Sequence, residues 1–254
     1  MKRIILFLSG ALVAFSCVAQ NPPVYDCHRA DKPITIDGVV NMDEWAAAKP
    51  CNAFQDIMGA GFPLPKYKTT MRMLWDDEFL YVSAVLDEPN VRAGVTERDD
   101  IVYHDNDFEV FINPYNDSRL YYELEINALG TVMDLLMEKP YSEGGTYIMT
   151  WDFQNLETAV HVDGTLNKPS DKDKGWSVEI KIPFKSLSRG GTDPLESKVW
   201  RMNFSRVEWL STPEENWVWA PTGIVDIHYP LRWGYVRFID KDGKVPDIKK
   251  KTAE

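Results

Sequence analysis

The stretch that decides the fold is DFEVFIN, Asp107 to Asn113, with LYYELEIN, Leu120 to Asn127, just after it. In an extended chain successive side chains point to opposite faces. Phe108, Val110 and Ile112 therefore share one face, and Glu109 and Phe111 the other. Pro114, which has no amide to give to a ladder, ends the run. Ala128-Leu129-Gly130 then separates Leu120–Asn127 from Thr131–Leu136, predicting a hairpin. Working outward, Thr70–Trp75 and Phe79–Leu86 form a second hairpin across Asp76-Asp77-Glu78. Leu156–Val162, Trp176–Ile182, Val199–Trp209, Trp217–Trp219 and Gly234–Ile239 continue the pattern, with turns at Asp163-Gly164 and Lys174-Gly175. Helical signals are confined to Asn41–Ala47, with Asn41 as N-cap and Glu44 three residues on, and one turn at Ser186–Ser188. Many short strands with so little helix predict an all-β fold, a jelly-roll-like sandwich of two antiparallel sheets. No linker or composition break divides residues 21–240, so they read as one domain; the charged tail 241–254 reads as frayed.

Composition narrows the function. Of 254 residues, 28 are Lys or Arg and 39 Asp or Glu, a net charge of −11, which argues against nucleic acid as a partner. Residues 1–20 have a basic start at Lys2-Arg3, an apolar stretch too short for a membrane span, and small residues around Ala19. They read as a signal peptide, so the chain is expected to be exported to the periplasm or beyond. Lipidation at Cys17 is the alternative, disfavoured by bulky Phe15. Cleavage removes Lys2 and Arg3 and no acid, leaving a formal charge of −13. No later stretch is long and apolar enough to make a transmembrane helix. Cys27 and Cys51 would be the remaining thiols, either bonded or buried and free.

Candidate chemistry is sparse. There is no nucleophile elbow, zinc helix or phosphate loop, and His28, His104, His161 and His228 are scattered. Glu123 and Glu125 share a strand face at i, i+2 and offer a carboxylate pair for glycan cleavage. Asp76-Asp77-Glu78, Asp99-Asp100 and Asp105-Asn106-Asp107 offer hard oxygen donors, so a structural Ca2+ is expected at one of them. Nine Trp are present: Trp45, Trp75, Trp176 and Trp200 read as core. Trp209, Trp217, Trp219 and Trp233 cluster late in the chain, and Trp219 runs into a loop. An aromatic face flanked by carboxylates, amides and Arg suits a sugar, which has an apolar C–H face and a rim of hydroxyls.

Read together, PITIDG (33–38) with Asp43-Glu44-Trp45, LWDDEFLYVSAVLDE (74–88), HDNDFEVFINP (104–114), YYELEINALGTVMD (121–134), GWSVEIKIPF (175–184) and the closing stretch from Trp200 to Phe238 resemble carbohydrate-binding module family 9 and its relatives. The chain looks like a secreted, stand-alone member. The resemblance implies a β-sandwich that binds oligo- or polysaccharide without turning it over, as an aid to polysaccharide use. It implies a sugar ring held between two aromatics, at Tyr103 and Trp219, with a strand acid at Glu109. A sugar-contacting Arg of the family falls on Glu125, a reversal of charge. Asn127, Asn203 and Arg206 are the expected polar helpers, Arg206 also as an ion-pair partner for Glu109. Structural calcium is known among such modules. The competing readings are a glycan-cleaving enzyme using paired carboxylates, and a protein-interaction sandwich with a degenerate sugar site.

Overall fold

The computed structural model describes residues 21–210 and 212–245; the signal-like segment 1–20 and the end of the charged tail lie outside them. Thirteen strands carry the fold: β1 (Val24–Arg29), β2 (Gln55–Asp56), β3 (Thr69–Trp75), β4 (Phe79–Asp87), β5 (Asp107–Asn113), β6 (Tyr121–Asn127), β7 (Val132–Met137), β8 (Tyr147–Ile148), β9 (Glu157–Asp163), β10 (Gly175–Pro183), β11 (Val199–Glu208), β12 (Glu215–Val218) and β13 (Gly234–Ile239). Helix among the described residues is limited to single 3₁₀ turns, one of them, Phe184–Leu187, overlapping the expected turn at Ser186. Asn41–Ala47 is not a helix. Its Asn41 carbonyl accepts from Glu44 and Trp45, and the Asn41 side chain accepts from the Asp43 amide, closing a turn instead.

Both expected hairpins form, β3 with β4 and β6 with β7, each antiparallel. The expected sandwich of two antiparallel sheets is met in part: the described residues are nearly all β or loop, and every named strand pair except those of β1 is antiparallel. Hydrogen bonding follows one continuous path, β8-β7-β6-β5-β11-β13-β1-β3-β4-β10-β9, and β1 pairs in parallel with both β13 and β3. The result is a curled, mixed sheet whose two halves share a core. Phe108, Val110, Leu124 and Phe204 from one half meet Met73, Val82, Val178 and Ile180 from the other. Loops cover the opposite face of β5–β7, where Val102, Phe111, Tyr121, Met133 and Trp233 form a second cluster. Both faces of β5 and β6 are therefore buried, although the sequence alternates.

The PITIDG…DEW segment has a structural task. Glu179 on β10 accepts from the Asp37 and Gly38 amides and from the Trp45 indole, while Glu44 accepts from the Thr35 amide and hydroxyl. Gly38 has φ +84° and lies so close to the Val160–His161 backbone that a Cβ would fall 2.5 Å from a carbonyl carbon, so only glycine fits. Cys27 and Cys51 are both free; burial pushes the Cys51 thiol up to about 11 and raises that of Cys27 as well.

Trp219, just past β12, is 1% exposed and packs edge-on against Phe204. Its ring occupies the space beside Gly234, where a Cβ would stand 2.3 Å from the indole. Gly234→Ala is therefore expected to cost about 1–3 kcal/mol by overpacking. Chemical denaturation measures this, and an unchanged midpoint would mean that the indole is not wedged there.

Candidate functional site

Strand parity builds the site. Glu109 on β5 lies opposite Glu125 on β6 and opposite Ser205 on β11, so these three point to one face. Asp107 stands opposite Asn127, and Glu123 lies opposite Phe111 on the same face. The sheet thus gathers Asp107, Glu109, Glu123 and Glu125 under the loops that cover β5–β7. All four are buried. Oxygens of Asp107, Glu109 and Glu125 lie within 4.8 Å of one another.

A cavity of about 400 Å³ opens above Glu109, Glu123 and Glu125. That is within the range of about 300–1,000 Å³ typical of small-ligand sites. Its walls include Tyr103, Tyr141, Tyr147, Met133, Met149 and His228. Tyr103 sits on the 3₁₀ turn Val102–His104, and Tyr141 on another turn, Tyr141–Glu143; the two residues are 42% and 45% exposed. Two connections fix Tyr103. Its amide donates to Glu125 Oε2 at 3.1 Å, and its carbonyl accepts from the Trp209 indole at 2.8 Å. His228 stacks edge-on with Tyr141 at 4.6 Å, and its Nδ1 lies 3.1 Å from the Tyr121 hydroxyl. Larger clefts of about 640 and 790 Å³ occur elsewhere, but no buried carboxylate lines either one.

The sequence-predicted residues divide. Tyr103, Glu109 and Glu125 meet at the cavity. Asn127 does not line it: its amide donates to Asp105 and to the Val95 carbonyl, and its side-chain oxygen accepts from Leu129 and Thr131, which ties the covering loop to the hairpin turn. Trp219 is in the core and shares no cavity with Tyr103, so it is corrected from sugar platform to packing residue. Arg206 is also corrected. Its neighbour Ser205 faces Glu109, so Arg206 points the other way, into the core. There it donates to Glu88 at 3.0 Å and to Glu208 at 2.6 Å, with its guanidinium over Trp217. Asn203 is buried and bonded to Ala220. Tyr141, Tyr147 and His228 were missed, because a single turn, a two-residue strand and a loop are too short to carry a periodic signal. The acids read as calcium donors divide: Asp107 groups with Glu109 and Glu125 and leaves Oδ2 unpartnered, while others serve turns and loops. Asp76 closes the β3–β4 turn and accepts from the Tyr81 hydroxyl, and Asp105 accepts from the Gly94 and Val95 amides. Asp99 groups with Asp134 and Asp152, but Arg98 already ion-pairs with that group.

Burial and mutual repulsion govern the electrostatics. Burial pushes Glu109 up to about 7. Burial, then the Glu109 charge, pushes Glu123 up to about 8. Asp107 and Glu125 rise for the same reasons. Burial lowers His228 to about 4, so it is neutral near neutral pH. An acid with a raised folded-state pKa binds more protons folded than unfolded, so its contribution to stability declines as pH rises. The decline starts near the ordinary value of 4.5 and ends at about 7 to 8 for Glu109 and Glu123. His228 acts oppositely, but its contribution is complete above its ordinary value of 6.5. The melting temperature should therefore fall between about pH 6.5 and about pH 8.5, and fall less in Glu123→Gln. Thermal melts across that window measure it; a rising or identical profile would contradict the assignment.

Comparison with known proteins supplies the wider frame. A region of endo-1,4-beta-xylanase A of Thermoanaerobacterium saccharolyticum is 26% identical over 154 residues, covering 60% of this chain and 11% of that enzyme. Exoglucanase XynX of Acetivibrio thermocellus is 27% identical over 120 residues, covering 47% of this chain and 9% of that enzyme. The chain thus spans only about a tenth of the length of these curated relatives. Among solved structures, a Bacteroides uniformis protein proposed to bind carbohydrate superimposes with TM-score 0.64 at 18% identity, over 85% of this chain and 99% of the other. A carbohydrate-binding module family 9 from Caldicellulosiruptor kristjanssonii, solved with cellotriose, gives TM-score 0.57 at 16% identity over 88% and 98%. At such identities these structures speak to the fold. The family model for the carbohydrate family 9 binding domain-like group matches residues 36–213, and the chain belongs to that family.

Proposed function

We propose that the protein is a non-catalytic carbohydrate-binding module that seats one glycan unit in the cavity above Glu109, Glu123 and Glu125. Family membership supports carbohydrate as the ligand class, and the related Caldicellulosiruptor module was solved with cellotriose. The observation that carries the site is the cavity itself: half-exposed Tyr rings border buried carboxylates. A sugar laid there would put its C–H face on Tyr103, Tyr141 or Tyr147 and its hydroxyls toward carboxylate oxygens. In this reading Tyr103 takes the role that the resemblance implies. The opposing wall comes from Tyr141 and Tyr147 rather than Trp219.

The acid arrangement supports binding over cleavage. Glycosidases place two carboxyl groups on either side of the scissile bond. Here Glu123 and Glu125 project from one face of one strand, and Glu109 is directly beside Glu125 on the next. We place the protein outside the cytoplasm on the strength of residues 1–20, where it would hold a polysaccharide or its fragments for other proteins to process.

Calorimetry against glucose, cellotriose and a panel of neutral and charged oligosaccharides tests the reading. Tyr103→Ala should weaken binding about three- to tenfold, from the stacking contribution of about 0.5–1.5 kcal/mol. Trp219→Phe should leave affinity unchanged. No binding across the panel, or indifference to Tyr103→Ala, would sink the proposal.

A further inference from the structure

Each buried acid away from the β5–β6 carboxylate group has a counter-charge or convergent N–H donors. Glu88 and Glu208 share Arg206, and Asp134 has Arg98. Glu179 accepts from two amides and an indole, and Asp173 from the Val91 and Thr165 amides. The cavity breaks this pattern. Its lining carries five acids, Glu109, Glu123, Glu125, Glu214 and Asp226, and no Lys or Arg among the described residues. His228, the one basic side chain there, is held neutral by burial. Glu123 is 4% exposed, yet its Oε2 has no hydrogen-bond partner and comes only within 3.9 Å of His228 Nε2. Beneath Glu109, the buried Asp107 leaves Oδ2 unpartnered and adds a further acid.

We propose that the slot selects a glycan unit bearing a free amine, a 2-amino-2-deoxyhexose, whose ammonium sits over Glu109, Glu123 and Glu125. This rests on the carbohydrate reading above and sharpens it. A neutral hydroxyl donates one hydrogen bond and brings no charge. An ammonium brings three donors and the missing positive charge, and charge-assisted bonds of this kind are the strong ones. The Tyr103, Tyr141 and Tyr147 rings add to the attraction, because their faces are negative. Met133 and Met149 offer apolar surface to the rest of the ring. The space is far larger than a bare metal ion requires, but oxygens of Asp107, Glu109 and Glu125 lie within 4.8 Å of one another and are of the kind that ligates a hard cation, so calcium is one arm of the test.

Calorimetry on the whole protein at about pH 7.5 compares a glucosamine trisaccharide, its N-acetylated counterpart, cellotriose and calcium chloride alone. The amine trisaccharide should bind at least about tenfold tighter than the other two sugars and lose affinity with added salt. Glu123→Gln and Glu125→Gln keep the side-chain shape; each should abolish the amine preference while the fold still melts cooperatively. Equal affinity for the neutral trisaccharides would overturn the amine proposal and leave the carbohydrate reading standing. Binding of none of the three sugars would remove both. Calcium that binds and competes with the amine would overturn the proposal in favour of a metal site.

Discussion

The two-residue period of β5 and β6 is the constraint on which the rest of the structure depends. It sends Phe108, Val110, Leu124 and Ile126 into the shared core and leaves Asp107, Glu109, Glu123 and Glu125 together on the other side. In an open sheet those acids would be solvated and unremarkable. Here loops close over them and strip away water, while Arg206, next in the chain to Ser205, is committed to the opposite face. Desolvation then raises every carboxyl in the group, and repulsion by neighbouring acids adds to it at Asp107, Glu123 and Glu125. The cavity is chemically distinctive because parity concentrates charge where the covering loops prevent its dispersal.

Much of the fold was legible in the sequence, because alternation and turn chemistry report directly on local pairing. Both hairpins and the limits of β13 follow from these signals. What the sequence did not disclose is non-local. The VYDCHR segment of β1 has no clean alternation, and it becomes a strand because β13 and β3 offer edges on either side. The continuous hydrogen-bonded path likewise depends on how far the sheet curls, which no short stretch encodes. At the site, Glu109 and Glu125 were readable through their shared face. Arg206 was misread by one residue of register, since in a strand the adjacent position is the opposite direction. Trp219 was misread because an aromatic entering a loop looks the same whether the loop is open or folded over Phe204.

Resemblance and mechanism also part company in an instructive way. The segment from Pro33 to Trp45 is among the most recognisable in the chain, yet its side chains work as a clasp on Glu179, away from the cavity. Motifs that identify a fold family need not touch a ligand. The walls that would decide ligand choice, Tyr141 and Tyr147, come from a stretch with no comparable signature. Specificity can therefore change by loop substitution while the scaffold keeps its clasp and its core.

The parallel pairing of β1 with β13 has a mechanical consequence. The strand nearest the chain's beginning and the one nearest its end lie side by side, in register from Val24 with Tyr235 to His28 with Ile239. Tension between the two termini would pull these strands past one another lengthwise. The ladder would then bear load in shear, all bonds at once, instead of unzipping one at a time. A pull applied across both ends of this pair is what the geometry resists.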